Sequence, residues 1–178
     1  PVTRRVDEDA RRGGSRVQKA SRGEHRHALT RRRRWTPASE VSVRRLMSRL
    51  HDLFGDIDIY VFDQLLRGRI APGMRVFDAA CGSGRNLIYL LRAGYEVFGI
   101  DADPFAIQTV QRLAATLAPG LPSDNFRVEA IERHTFPEGS ADVVLSSAVL
   151  HFARDDDQFM AMLLGSWKPL KRGGVMVC

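Results

Sequence analysis

Cysteine is scarce in this chain of 178 residues, present only as Cys81 and Cys178, and no apolar run approaches the length of a bilayer. Two cysteines this far apart build no disulfide scaffold. They also stand in no CxxC or His/Cys spacing, so no metal site is expected, and a reducing, cytoplasmic setting fits best. A membrane-spanning helix needs about 20 mostly apolar residues, so an integral membrane protein is excluded and no membrane partner is expected. No internal repeat is evident, which excludes a solenoid. Composition is unexceptional, at 44% hydrophobic and 27% charged residues, which excludes a wholly disordered or collagen-like chain. The length is that of one domain with a sizeable core.

The net charge of +6 is unevenly placed. Residues 1 to 40 hold 12 Arg or Lys against 5 acids, +7, and residues 41 to 178 hold 15 against 16, −1. The basicity belongs to a tail ending in Arg31 to Arg34, with no sustained apolar period, which reads as disordered. Its acids, Asp7, Glu8, Asp9 and Glu24, argue against a transit peptide. Nucleic acid is a partner only through this Arg-rich tail, because the slightly acidic remainder gives no electrostatic reason to bind it.

From Pro37 the pattern becomes helical: Val41, Leu46, Leu50, Leu53 and Phe54 recur at spacings of three to five, and a second short helix covers about Ile57 to Arg67. Strands are expected at Met74 to Ala80, Tyr95 to Ile100, Phe126 to Ala130, Asp142 to Ser147 and Gly174 to Cys178. Helices are expected at Asn86 to Ala93, from Pro104 through Leu117, and from Asp156 to about Trp167. Asp103 caps the second of these and Pro104 opens it, while three aspartates favour the positive end of the third. Alternation of strand and helix implies an α/β fold with a doubly wound, Rossmann-like parallel sheet of five strands. Three regions are expected: the tail to residue 40, N-terminal helices over 41–73 covering the site, and a core over 74–178.

In such sheets ligands sit beyond the carboxyl ends of the strands, at the switch point. Gly82 and Gly84 occupy the first of these loops, where missing side chains let a ligand approach backbone N–H groups. Asp101, nineteen residues after Gly82, is placed to accept both hydroxyls of a ribose. The glycine spacing separates cofactor classes. A dinucleotide loop wants GxGxxG, but Leu87 stands where the third glycine belongs, and no GKS or GKT follows for a P-loop.

The residues Val76-Phe77-Asp78-Ala79-Ala80-Cys81-Gly82-Ser83-Gly84-Arg85-Asn86 resemble motif I of class I S-adenosylmethionine-dependent methyltransferases. Three further ordered segments extend the resemblance to the C-terminus: Gly99 to Asp103, Phe136 to Ser147, and Leu170 to Gly174. Arg85-Asn86-Leu87, Leu90 and Gly94 to Val97 look further like the tellurite-resistance methyltransferases and their bacterial small-molecule relatives. The resemblance implies S-adenosylmethionine as cofactor and methyl transfer to a small-molecule acceptor by in-line displacement. It also implies cofactor contacts at Asp78, Ala80, Gly82, Gly84, Asp101, Ala102, Ala130, Ile131 and Ser146. Asp78 would sit under the cofactor's amino group, Ala102 on the adenine face, Ala130 and Ile131 at its edge, and the Ser146-Ser147 end of the fourth strand facing the sulfonium.

No catalytic side chain is required by such chemistry, and His151, just after the fourth strand, is only a weak candidate, with Tyr60 and Asp58 on the N-terminal helices weaker still. Cys81 reads as a small packed residue, and Trp35 and Trp167 as packing. The chain departs from the family in three places. Ala130 stands where an Asp often accepts from the adenine amino group, with Glu129 or Glu132 as substitutes. Proline moves from the usual Leu-Lys-Pro-Gly-Gly to Pro169, where it should end the preceding helix early. The family's sheet continues beyond strand five, so the resemblance implies a piece of a longer protein, with a strand-five edge open to self-association. Two alternatives follow: an inactive or weakly nucleoside-binding fragment, and an NAD(P)-dependent oxidoreductase.

Overall fold

A computed structural model describes residues 37–178, which belong to one compact unit. The tail, with Arg31 to Arg34, its expected disorder and Trp35, lies outside the described residues. Five helices and five strands follow in the order α1 (Pro37–Phe54), α2 (Ile59–Leu66), β1 (Arg75–Ala79), α3 (Ile88–Arg92), β2 (Glu96–Asp101), α4 (Pro104–Leu117), β3 (Phe126–Val128), β4 (Ala141–Leu145), α5 (Asp156–Trp167) and β5 (Leu170–Val177). The sheet is parallel throughout, in the order β3-β2-β1-β4-β5. The chain winds outward from β1 to β3, then crosses to the other side of β1, which puts the switch point between β1 and β4.

Alternation along the strands divides the core between two faces. Val76, Val97, Val143 and Leu145 point towards α3 and α4, meeting Leu87, Leu90, Leu91, Ile107 and Val110. Phe77, Ala79, Ile100 and Val144 point the other way, onto Ile131, Phe136 and Met162 of α5. Helix α4 begins as its sequence dictates: the Asp103 carboxylate accepts from the Phe105 N–H at 2.8 Å, and Pro104 opens the first turn. Helix α5 is capped the same way, the Asp155 carboxylate accepting from the Gln158 N–H at 2.7 Å, and ends at Trp167 ahead of the buried Pro169.

Two expectations fail here. Strand β5 starts at Leu170, not Gly174, because the Gly173-Gly174 pair forms a bulge inside the strand. Between Ala141↔Leu170 and Val143↔Val175 the β5 side carries three extra residues, with Gly173 at φ +78°. Trp167 does not pack but is exposed at the end of α5.

Candidate functional site

At the carboxyl ends of β1, β2 and β3 a cleft of about 540 Å³ opens, with Ala80, Asp101, Ala102, Ala130 and Ile131 on its wall. These are five of the nine residues expected at a cofactor. The turn after β1 is tied to the end of β2 by the Gly82 N–H, which donates to Asp101 Oδ2 at 2.9 Å, while Oδ1 accepts from the Asp103 N–H at 2.8 Å. Each carboxylate oxygen keeps further acceptor capacity. Gly82, at φ +52°, faces space that a side chain would fill, with nothing within 4 Å of a built Cβ. Gly84 serves packing instead: at φ +86° its Cβ would meet Val110 Cγ2 of α4 at 2.7 Å.

Two non-glycine residues take the left-handed conformation, Ala80 at φ 62° and Ala148 at φ 57°, and both line the cleft. They end β1 and follow β4, flanking the switch point. Each costs roughly 1 kcal/mol or more, strain of a kind that gathers where ligands bind. The sequence gives no signal for it, since alanine is no mark of a left-handed turn.

Asp78 is buried in β1, paired in register with Gly99 and Leu145, and accepts no hydrogen bond from any described residue. Burial pushes its carboxyl up to about 8; Arg85 opposes the rise and Asp101 adds to it. Cys81, beside it, is buried and its thiol is driven far up by the same desolvation and by the two aspartates, so it is the inert packed residue expected.

The remaining expected residues divide. Ser146 is buried with its hydroxyl 3.3 Å from that of Ser166 in α5, directed at the helix and not at the turn. Its neighbour Ser147 takes the outward place. His151 is exposed, with its ring against Phe152 at 4.1 Å between centroids and no polar contact among the described residues. Of the two acids near Ala130, Glu129 is turned onto Thr135, accepting from its N–H at 2.6 Å and its hydroxyl at 2.7 Å. Glu132 lines the cleft and accepts from Gln158 Nε2 at 3.0 Å, a bond that holds its carboxyl below the usual range.

A polar cluster joins the N-terminal helices to this rim, bringing together Asp58 and Ser147, which the sequence offered separately, in a contact it did not announce. Asp58, the cap of α2, accepts from the Tyr60 N–H at 2.8 Å and from the Ser147 hydroxyl at 2.9 Å, and lies 3.5 Å from Arg85 Nη2. Its own N–H donates to Asn86 Oδ1 at 2.9 Å. Burial works to raise the Asp58 carboxyl, but the hydrogen bonds from Tyr60 and Ser147 and the Arg85 charge outweigh it and hold it low. Helix α2 is thereby fixed against the glycine turn and the end of β4, while α1 contributes only its last residues. No group of three or more His, Cys, Asp or Glu fit to hold a metal occurs among the described residues.

A nucleotide-type cleft on a 3-2-1-4-5 parallel sheet, with a glycine turn and an acid on the neighbouring strand, defines a Rossmann-like binding domain. The family model described as a methyltransferase domain matches residues 77–178. That is more than half of the chain, which therefore belongs to this family. The chain is similar to an uncharacterized methyltransferase of Synechocystis sp., 33% identical over 108 residues, 60% of this chain and 46% of that one. A second relative, the 2-heptyl-1-hydroxyquinolin-4(1H)-one methyltransferase of Mycobacteroides abscessus, is 34% identical over 76 residues, 43% of this chain and 33% of that one. The chain thus spans less than half the length of these curated relatives.

Among solved structures, a SAM-dependent methyltransferase from Methanosarcina mazei is 25% identical with a TM-score of 0.51, covering 60% of this chain and 52% of its own. A TehB-like SAM-dependent methyltransferase from Corynebacterium glutamicum shares the fold at 24% identity with a TM-score of 0.54, covering 79% of this chain and 73% of its own.

Proposed function

We propose that this chain carries the cofactor site of an S-adenosylmethionine-dependent methyltransferase acting on a small-molecule acceptor in a reducing, cytoplasmic setting. The observation that carries the reading is the Asp101 carboxylate, fixed by the Gly82 and Asp103 N–H groups at the mouth of the cleft. The residues fit the group. Asp101 offers its remaining acceptor capacity to two ribose hydroxyls, Ala102, Ala130 and Ile131 offer an apolar slot for a base, and the open space over Gly82 admits the methionine chain. Asp78, a buried carboxyl with no hydrogen bond, is matched by an ammonium group. Glu132, which lines the cleft where Glu129 does not, is the acid available to an adenine amino group.

When bound, S-adenosylmethionine supplies a methyl group already activated on a sulfonium. The chain's residues are therefore asked to align the reactants and exclude water, not to transfer protons. The acceptor enters from the switch point, where Ser147 and Asp58 stand opposite the turn. The M. abscessus relative, named for a hydroxyquinolinone, supports a small-molecule acceptor.

Calorimetric titration with S-adenosylhomocysteine tests the reading. Asp101→Ala should weaken binding about 100-fold, on the order of 2.8 kcal/mol at 1.4 kcal/mol per tenfold. Equal affinity in the variant, or no binding by the folded wild-type chain, would overturn it.

A further inference from the structure

Every residue of α1 from Glu40 to Leu53 is exposed, including Val43 (39%), Leu46 (52%), Met47 (57%), Leu50 (40%) and Leu53 (41%). At about 100° per residue these five side chains share one face of the helix. The end of the helix is anchored by Phe54, which stacks on Tyr89 at 4.7 Å between centroids and meets Phe62 edge-on at 4.9 Å. Helices in proteins draw most of their stability from packing of their apolar face, and the described residues leave this face largely open.

Charge indicates what fits it. Arg44 and Arg49 flank the apolar face on its two sides, and neither pairs with a carboxylate among the described residues. Leu46, Leu50 and Leu53 line a groove of about 510 Å³, with Arg49, Arg92 and Asp52 also on its wall. An apolar floor between guanidinium groups matches an anionic amphiphile surface, with hydrocarbon below and phosphate at the edges. A second copy of the chain fits worse. Five side chains are few against the roughly 20–30 residues a side of a stable interface.

We propose that α1 docks on an anionic lipid surface, its apolar face in the headgroup boundary and Arg44, Arg49 and Arg92 against the phosphates. That no helix among the described residues is long and apolar enough to cross a membrane does not bear on this, because a helix lying in the interface is a different object from a span. The proposal is independent of the cofactor reading.

The test is sedimentation of the full chain with vesicles of equal parts phosphatidylglycerol and phosphatidylcholine, and with vesicles of phosphatidylcholine alone. Binding should be about tenfold or more tighter to the anionic vesicles, about tenfold weaker in Leu46→Asp/Leu50→Asp, and a few-fold weaker in Arg44→Gln/Arg49→Gln. The melting temperature should stay unchanged in both variants, since the side chains are exposed. Three results would overturn the proposal: no preference for anionic vesicles; undiminished binding by Leu46→Asp/Leu50→Asp, which would leave the Arg31 to Arg34 run as the binder; or a vesicle-free dimer that this double variant turns into monomer, which would make the face an interface between copies.

Discussion

The rim of the cleft and helix α1 depart from the usual partition of side chains in opposite directions. At the rim a carboxyl, Asp78, is buried without a hydrogen bond, and two alanines hold left-handed backbone. On α1, five large apolar side chains face water with arginines beside them. Either arrangement costs stability in the chain by itself, since folded proteins bury hydrocarbon and solvate charge. The difference lies in the kind of complement each lacks. On the proposed readings the rim takes the cation and hydrogen-bond donors of a nucleoside amino acid, whereas α1 takes hydrocarbon and anions.

Asp78 should give the largest effect that breaks this symmetry. Its carboxyl titrates near 3.8 when exposed and at about 8 in the fold, so between these values the folded state holds one more proton than the unfolded state. The contribution of Asp78 to stability is then fully present below pH 4 and declines as pH rises towards 8. At 1.36 kcal/mol per unit its size is a few kcal/mol. The low carboxyls of Asp58, Glu129, Glu132 and Asp142 act in the opposite sense, losing stability as pH falls, so the informative quantity is a difference. Urea unfolding of wild type and Asp78→Asn should show the variant gaining relative stability from pH 5 to pH 8. Parallel pH profiles would place the Asp78 carboxyl in water.

Next in size is Gly165→Ala. A methyl at Gly165 in α5 collides with the backbone carbonyl of Ile131, on the cleft wall. Backbone cannot yield as a flexible side chain can, so a loss of about 3 kcal/mol is expected, read as a fall of roughly 6–12 °C in melting temperature. A fall under about 2 °C would show that α5 and the 131–133 turn are not locked together. The smallest effect is expected on α1. Leu46→Gln should change stability by less than about 0.5 kcal/mol, because that side chain is exposed among the described residues. A loss of 2 kcal/mol would mean that α1 packs on its own protein.

The legible parts of the fold were those whose signals are local. Asp103-Pro104 announces α4, and the glycine turn followed nineteen residues later by Asp101 announces the β1–β2 rim, because capping and turn chemistry act within a few residues. Gly173-Gly174 misled, since a glycine pair reads as a turn and here forms a bulge within β5. Ser146 and Ser147 were both expected to face the sulfonium, and Ser146 is buried against Ser166 while Ser147 stands outward. Neighbouring residues at a strand end face opposite ways, so an error of one position changes sides. The Asp58–Ser147 contact spans 89 residues and Arg85–Ser147 spans 62, distances over which no pattern announces a meeting. The apolar period of α1 was read correctly as a helix, but a period says which face is apolar and not what covers it.

The central claim, that the rim takes an ammonium group beside Asp78, is tested most directly by titrating S-adenosylhomocysteine at pH 7 in two buffers of different ionisation enthalpy. Asp78 is mostly protonated there, and an ammonium group beside it would lower its pKa. Binding should therefore release close to one proton from wild type and none from Asp78→Asn, with wild-type affinity rising with pH up to about 8. Binding with equal heats in both buffers, or an Asp78→Asn variant that still releases the proton, would contradict the account.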